Sequence, residues 1–138
     1  MQVLLYSRPY LPISDGITPD HGEIVVSGAT GGVGSIATVL LSELGYKVAA
    51  ITGKPEAGGP LLTELGASSI VPRSQFENDP KPLAKEIFAG AVDTVGGVIL
   101  TNIITMIKHS GTVAACGLAG MYINFKKEQF PIPKKKTK

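Results

Sequence analysis

The chain has 138 residues, 43% hydrophobic and 17% charged, which suits one globular domain with a sizeable core and excludes a disordered segment. No apolar run approaches the roughly 18–20 residues that span a membrane, and Met1 to Ser7 lack the basic region and long apolar stretch of a secretory signal. The formal charge is +2, yet four of the 13 basic side chains are Lys134, Lys135, Lys136 and Lys138, so the body is mildly acidic and carries no nucleic-acid footprint.

Residues 1–16 are the least regular stretch. Val3 to Tyr6 could form a strand, but Pro9 and Pro12 break any helix and most pairing. Ile17 to Gly22 reads as a turn into Ile24-Val25-Val26, a short β-branched strand. Ser27-Gly28-Ala29-Thr30-Gly31-Gly32-Val33-Gly34 follows, and a helical pattern begins at once, with Val33, Ile36, Ala37, Leu40, Leu41 and Leu44 as its expected buried stripe. A second strand is predicted over Lys47 to Thr52, a helix over Glu56 to Leu65, and a third strand at Ser69-Ile70-Val71. A helix is predicted over Lys81 to Phe88, a fourth strand over Ala91 to Val95, a helix around Ile99 to Ile107, and a fifth strand over Gly111 to Cys116. Strands alternating with helices point to a doubly wound, Rossmann-like parallel α/β sheet of about five strands in the order 3-2-1-4-5. The sixth strand usual in that fold is missing from the pattern.

Strand, glycine turn and helix form a phosphate cradle, because backbone without a Cβ admits a pyrophosphate to the unpaired N–H groups of the helix's first turn. Two registers fit: Gly28, Gly31 and Gly34, or Gly32-x-Gly34-x-x-Ala37. The second strand ends at Thr52-Gly53-Lys54, where a domain selective for NAD usually carries an acid. A hydroxyl, a glycine and an ammonium stand there instead, and Arg73 follows the neighbouring third strand. These groups favour a 2′-phosphate, hence NADP(H) over NAD. Asp93 reads as a cap for the following helix. Cys116 reads as a small buried hydrophobe, because no cation or histidine nearby in sequence lowers its pKa. As the single cysteine it excludes an internal disulfide and fits a cytoplasmic protein. His21 and His109 offer no metal-ligand spacing.

The blocks Ile24 to Ser35, Leu44-Gly45-Tyr46, Thr52-Gly53-Lys54, Leu65 to Ser68, Val71-Pro72-Arg73, Gly90 to Gly96 and Ala114 to Gly120 occur in one order. Together they resemble the cofactor domain of the quinone oxidoreductase-like medium-chain dehydrogenase/reductases, and within them the zinc-independent, NADPH-dependent acrylyl-CoA reductase branch. The resemblance implies hydride transfer from NADPH to an α,β-unsaturated thioester, quinone or enone, a small-molecule substrate, with no metal and no membrane. It implies Thr30, Gly31, Gly32 and Val33 at the pyrophosphate, Thr52, Gly53, Lys54 and Arg73 at the 2′-phosphate, and Val95 and Leu118 beside the nicotinamide ribose and ring. Substrate-side groups belong to parts of the family outside this stretch, so no catalytic residue is assigned and the stretch alone is expected to be inactive.

The resemblance divides the chain into an irregular segment 1–16, a truncated NADP-binding domain 17–132 and a basic tail 133–138. It implies a homo-oligomer through the sheet edge, since the fifth strand would lie open unless residues 1–6 cover it. Two other readings compete. Tyr122 and Lys126 have the spacing of the short-chain dehydrogenase pair, although Pro131 and Pro133 leave little helix for them. A nucleotide-binding module without catalysis is the third.

Overall fold

The computed structural model describes residues 2–5, 16–80 and 84–117. Six parallel strands form one sheet: β1 (Gln2–Leu5), β2 (Glu23–Val26), β3 (Val48–Thr52), β4 (Ser69–Pro72), β5 (Phe88–Asp93) and β6 (Ile107–Ala115). Their order is β1-β6-β5-β2-β3-β4. The five strands after β1 thus stand in the expected 3-2-1-4-5 arrangement. The sixth position is not empty, however. Gln2–Leu5 pairs in parallel with Thr112–Ala115, so part of the segment expected to be irregular supplies the cover for the edge of β6 that the sequence allows from residues 1–6. Unpaired N–H and C=O groups on a buried-type strand are costly, and an apolar run such as Val3-Leu4-Leu5 is a ready partner for them.

Among the described residues three α-helices cross between strands: α1 (Gly32–Glu43), α2 (Pro55–Glu64) and α3 (Gly97–Thr105). Side chains alternate across the sheet with period two. Ile24, Val26, Val48, Ala50 and Val92 face Ala37 and Leu41 of α1 and Leu62 of α2. Val25, Ala49, Ile51, Ala91 and Val113 face Ile99 and Ile103 of α3, with Phe76 alongside. With both faces covered, β3 and β5 are buried at every position.

Two expectations need correction. Residues 84–87 form no helix, and Phe88 opens β5. The amphipathic pattern there loses to sheet pairing: the N–H groups of Ile87 and Phe88 both donate to the Met106 carbonyl, and the Phe88 ring enters the α3-side core. On α1 the apolar stripe is split. Gly34, Ala37, Thr38 and Leu41 are buried, whereas Val33, Ile36, Leu40 and Leu44 are exposed, Ile36 by 56%. The sheet accepts only the side of α1 that carries small residues, because Gly34 must reach the backbone of the preceding turn. Among the described residues no helix is long and apolar enough to cross a membrane.

Leu41→Ala should therefore destabilise the domain by about 2–5 kcal/mol, while Leu40→Ala should change stability by about 0.5 kcal/mol or less. Urea unfolding of the two variants checks this; equal costs would contradict the split stripe.

Candidate dinucleotide-binding site

The carboxyl ends of β2, β3 and β5 meet at the glycine turn. The N–H of Ser27 donates to the Val92 carbonyl, 3.0 Å, and that of Ala29 to the Ile51 carbonyl, 3.1 Å, which hangs the turn between its neighbouring strands. Gly28 has a φ of +58°, and a Cβ on it would lie 2.2 Å from Oγ1 of Thr94. A Cβ on Gly34 would lie 2.2 Å from the Gly28 carbonyl oxygen. Gly28 and Gly34 are therefore the two glycines that close the turn. Gly31 is looser, its Cβ position lying 3.2 Å from the Gly28 oxygen, and a Cβ on Gly32 would meet nothing within 4 Å.

Gly31 is also the N-cap of α1, and no side chain caps that end. The first-turn N–H groups of α1 thus face the open space beside Gly32, with the positive end of the helix dipole behind them. Thr30, Gly31, Gly32 and Val33 line this mouth and are all exposed. The Thr30 methyl would lie 2.6 Å from a Cβ on Gly58, so a glycine inside α2 is what lets that helix pack beside the turn.

A buried polar cluster holds the turn to β5. Ser27 Oγ donates to Asp93 Oδ1, 2.6 Å, and accepts from the Thr94 N–H, 3.0 Å. Thr94 Oγ1 donates to the Ser27 carbonyl, 3.0 Å. The second Asp93 oxygen accepts from the Gly96 N–H, 2.8 Å, at the start of α3, which is the capping role its position implied. Burial pushes the Asp93 carboxyl up, opposed by the bonds from Ser27, Gly96 and Val95. Val95 reaches the turn as well: its Cγ2 lies 3.3 Å from the Cβ position of Gly28.

At the other end of the crevice a cavity of about 230 Å³ is lined by Thr52, Gly53, Pro55, Arg73 and Glu77, among others. The Lys54 N–H donates to Oγ1 of buried Thr52, 3.1 Å. A Cβ on Gly53 would lie 2.9, 3.0 and 3.1 Å from Cζ, Nη2 and Nη1 of Arg73. Such near-equal distances mean that the guanidinium lies flat over Gly53. Thr52, Gly53 and Arg73 are thus brought together as the sequence suggests, with Lys54 adjoining them.

Glu77, which the sequence reading passed over, joins them. Its Oε1 accepts from Arg73 Nε at 2.9 Å, and the four-residue spacing from Arg73 was the available clue. Leu118, Tyr122 and Lys126 lie outside the described residues. Cys116 is half-buried, and its Sγ donates to the Asp93 carbonyl, 3.3 Å. A larger cavity, about 630 Å³, lies at the opposite end of the sheet beside Ile17, His21 and Lys108. Ligands of open parallel sheets sit at the carboxyl ends of the strands, so the smaller crevice is the candidate site.

A doubly wound parallel sheet whose first crossover opens on an uncapped glycine turn defines the dinucleotide-binding class of domain. Residues 32–137 match the family described as "Zinc-binding dehydrogenase". The chain belongs to that family, within the medium-chain dehydrogenase/reductases. It is 52% identical over 106 residues to the acrylyl-CoA reductase AcuI of Ruegeria pomeroyi, covering 76% of this chain and 32% of that one. Among solved structures, the yhdH oxidoreductase of Salmonella enterica in complex with NADP matches with a TM-score of 0.76 and 48% identity, over 79% of this chain and 33% of that one. The yhfP protein of Bacillus subtilis with NAD bound matches with a TM-score of 0.75 and 40% identity, over 79% and 33%. The chain thus spans about a third of the length of these relatives. Among the described residues no group of three or more His, Cys, Asp or Glu side chains could hold a metal ion.

Burial, with the Asp93 carboxylate as a second cause, pushes the Cys116 thiol up. Less of it is thiolate at any pH below its pKa than in a free cysteine. Near about pH 8 it should react with a disulfide reagent several-fold more slowly than free cysteine does. A rate equal to that of free cysteine would contradict this environment.

Proposed function

We propose that this chain is the NADP(H)-binding part of a cytoplasmic reductase acting on an α,β-unsaturated acyl-CoA of the acrylyl-CoA kind, or on a related enone or quinone. The observation that carries the reading is the crevice with an uncapped helix N-terminus at one end and the Arg73 guanidinium over Gly53 at the other. The residues fit the cofactor on structural grounds. The space above Gly32 is open where a Cβ would intrude, and a cavity lined by Arg73, with Lys54 adjoining it in sequence, stands at the ends of β3 and β4.

When bound, the reduced nicotinamide supplies the hydride. Thr30, Gly31, Gly32 and Val33 hold the pyrophosphate through backbone N–H groups. Thr52, Gly53, Lys54 and Arg73 hold the 2′-phosphate, the lysine and arginine by charge and Thr52 by its hydroxyl. Val95, packed beside Gly28, borders the nicotinamide ribose, and Leu118 is assigned to the ring. No residue of this stretch is assigned to proton transfer or substrate binding. Self-association, if the sheet mediates it, uses the outer edge of β1, because β6 already has a partner.

Titration with NADPH, followed by cofactor fluorescence, tests the reading directly. A charge-assisted contact contributes about 1.5–3 kcal/mol, so NADPH should bind roughly tenfold or more tighter than NADH, and Lys54→Glu should weaken or reverse that preference. Equal affinities in the unaltered chain would sink the NADP assignment. Gly32→Val should abolish binding while leaving the melting temperature nearly unchanged, since its Cβ meets no protein atom within 4 Å. Retained binding would place the phosphate site elsewhere.

A further inference from the structure

We propose that Glu77 is a specificity-determining residue that limits how strongly this site prefers the 2′-phosphorylated cofactor. The inference rests on the NADP(H) reading above and deepens it. The end of β3 carries no acid, and in sequence Arg73 and Lys54 look like an undiluted cationic pair. The fold changes that. Arg73 opens the short 3-10 helix Arg73–Phe76, and Glu77 caps its end, so the carboxylate is turned back into the same cavity of about 230 Å³.

Glu77 occupies the Nε edge of the guanidinium at 2.9 Å and leaves Nη1 and Nη2 over Gly53. The two side chains are 49% and 50% exposed, so the ion pair itself adds little stability and is free to respond to a ligand. Its charge, however, stays in the cavity. A phosphate ester entering there carries close to two negative charges, and the carboxylate repels it while cancelling part of the attraction of Arg73. A ribose that keeps its 2′-hydroxyl meets no such repulsion. One anion across a few ångströms of half-wet space alters an affinity about threefold to tenfold.

Glu77→Gln separates charge from position. The amide oxygen still accepts from Nε, so the guanidinium keeps its place while the negative charge is lost. Dissociation constants for NADPH and NADH, and for the fragments 2′,5′-ADP and 5′-AMP, are measured by calorimetry on the full chain and on this variant. The variant should bind NADPH and 2′,5′-ADP about threefold to tenfold more tightly. NADH and 5′-AMP should stay within about twofold, and the difference should shrink near about 0.5 M salt. An unchanged ratio of NADPH to NADH affinity, or weaker NADPH binding, overturns the role of Glu77 while leaving the cofactor site standing. An unaltered chain that binds none of the four ligands overturns the cofactor reading itself, and this inference with it.

Discussion

The hydrogen bond between Ser27 and Asp93 is the constraint on which the crevice depends. It joins the carboxyl ends of β2 and β5 through a carboxylate with no solvent exposure, at 2.6 Å. A buried carboxylate is tolerated only when its oxygens are satisfied, and here Ser27 takes one and the Gly96 N–H the other. The same group therefore ties the glycine turn to β5 and starts α3. Thr94 completes the tie, since its N–H donates to Ser27 Oγ and its hydroxyl fills the space that a Cβ on Gly28 would need. Loss of one member would leave a polar atom unpaired out of water, so the cluster behaves as one unit.

Close backbone approach then sets the position of α1. Gly34 rests on the Gly28 carbonyl, and this brings the small face of α1, Ala37 and Thr38 with Leu41, down on the sheet. The larger residues Ile36, Leu40 and Leu44 are turned outward as a consequence. The site and the packing of the helix thus follow from one contact. The same economy holds at α2, where Gly58 is a poor helix former but leaves room for Thr30. Helix propensity is given up at positions where a side chain would block the crevice.

Under the proposed reading, the two ends of the crevice bind by different physics. At the glycine turn, the end proposed for the pyrophosphate, attraction comes from backbone dipoles held rigidly by the turn. At the other end it comes from Lys54 and Arg73, long side chains at the surface, with Glu77 among them. On that reading the first sets whether a dinucleotide is held, the second which one. Surface electrostatics of this kind are easily altered by one substitution, without disturbance to the sheet.

The sequence by itself determined the class of fold and the five-strand order, and it marked the glycine turn proposed as the phosphate cradle. Each of these rests on local signals: β-branched runs fully buried in a parallel sheet, and glycines at turns where a Cβ cannot stand. It also showed two cations, Lys54 and Arg73, at the end proposed for the adenosine, because both follow directly on strands. Tertiary structure alone decided the rest. The sequence offered residues 1–6 as one cover for the open edge, and the fold chose Gln2–Leu5 because β6 presented an unpaired edge more than 100 residues away in sequence. Residues 84–88 lost their helical pattern to pairing with the Met106 carbonyl, a contact that no window around them contains. Periodicity showed that α1 has an apolar stripe but not which half of it meets the sheet, since that depends on how closely Gly34 approaches Gly28. The spacing of Glu77 from Arg73 was legible in the sequence, but only the fold set the pair together in the cavity at the end of β3. Periodic patterns report what a segment can bury; only the packed chain selects the partner against which it is buried.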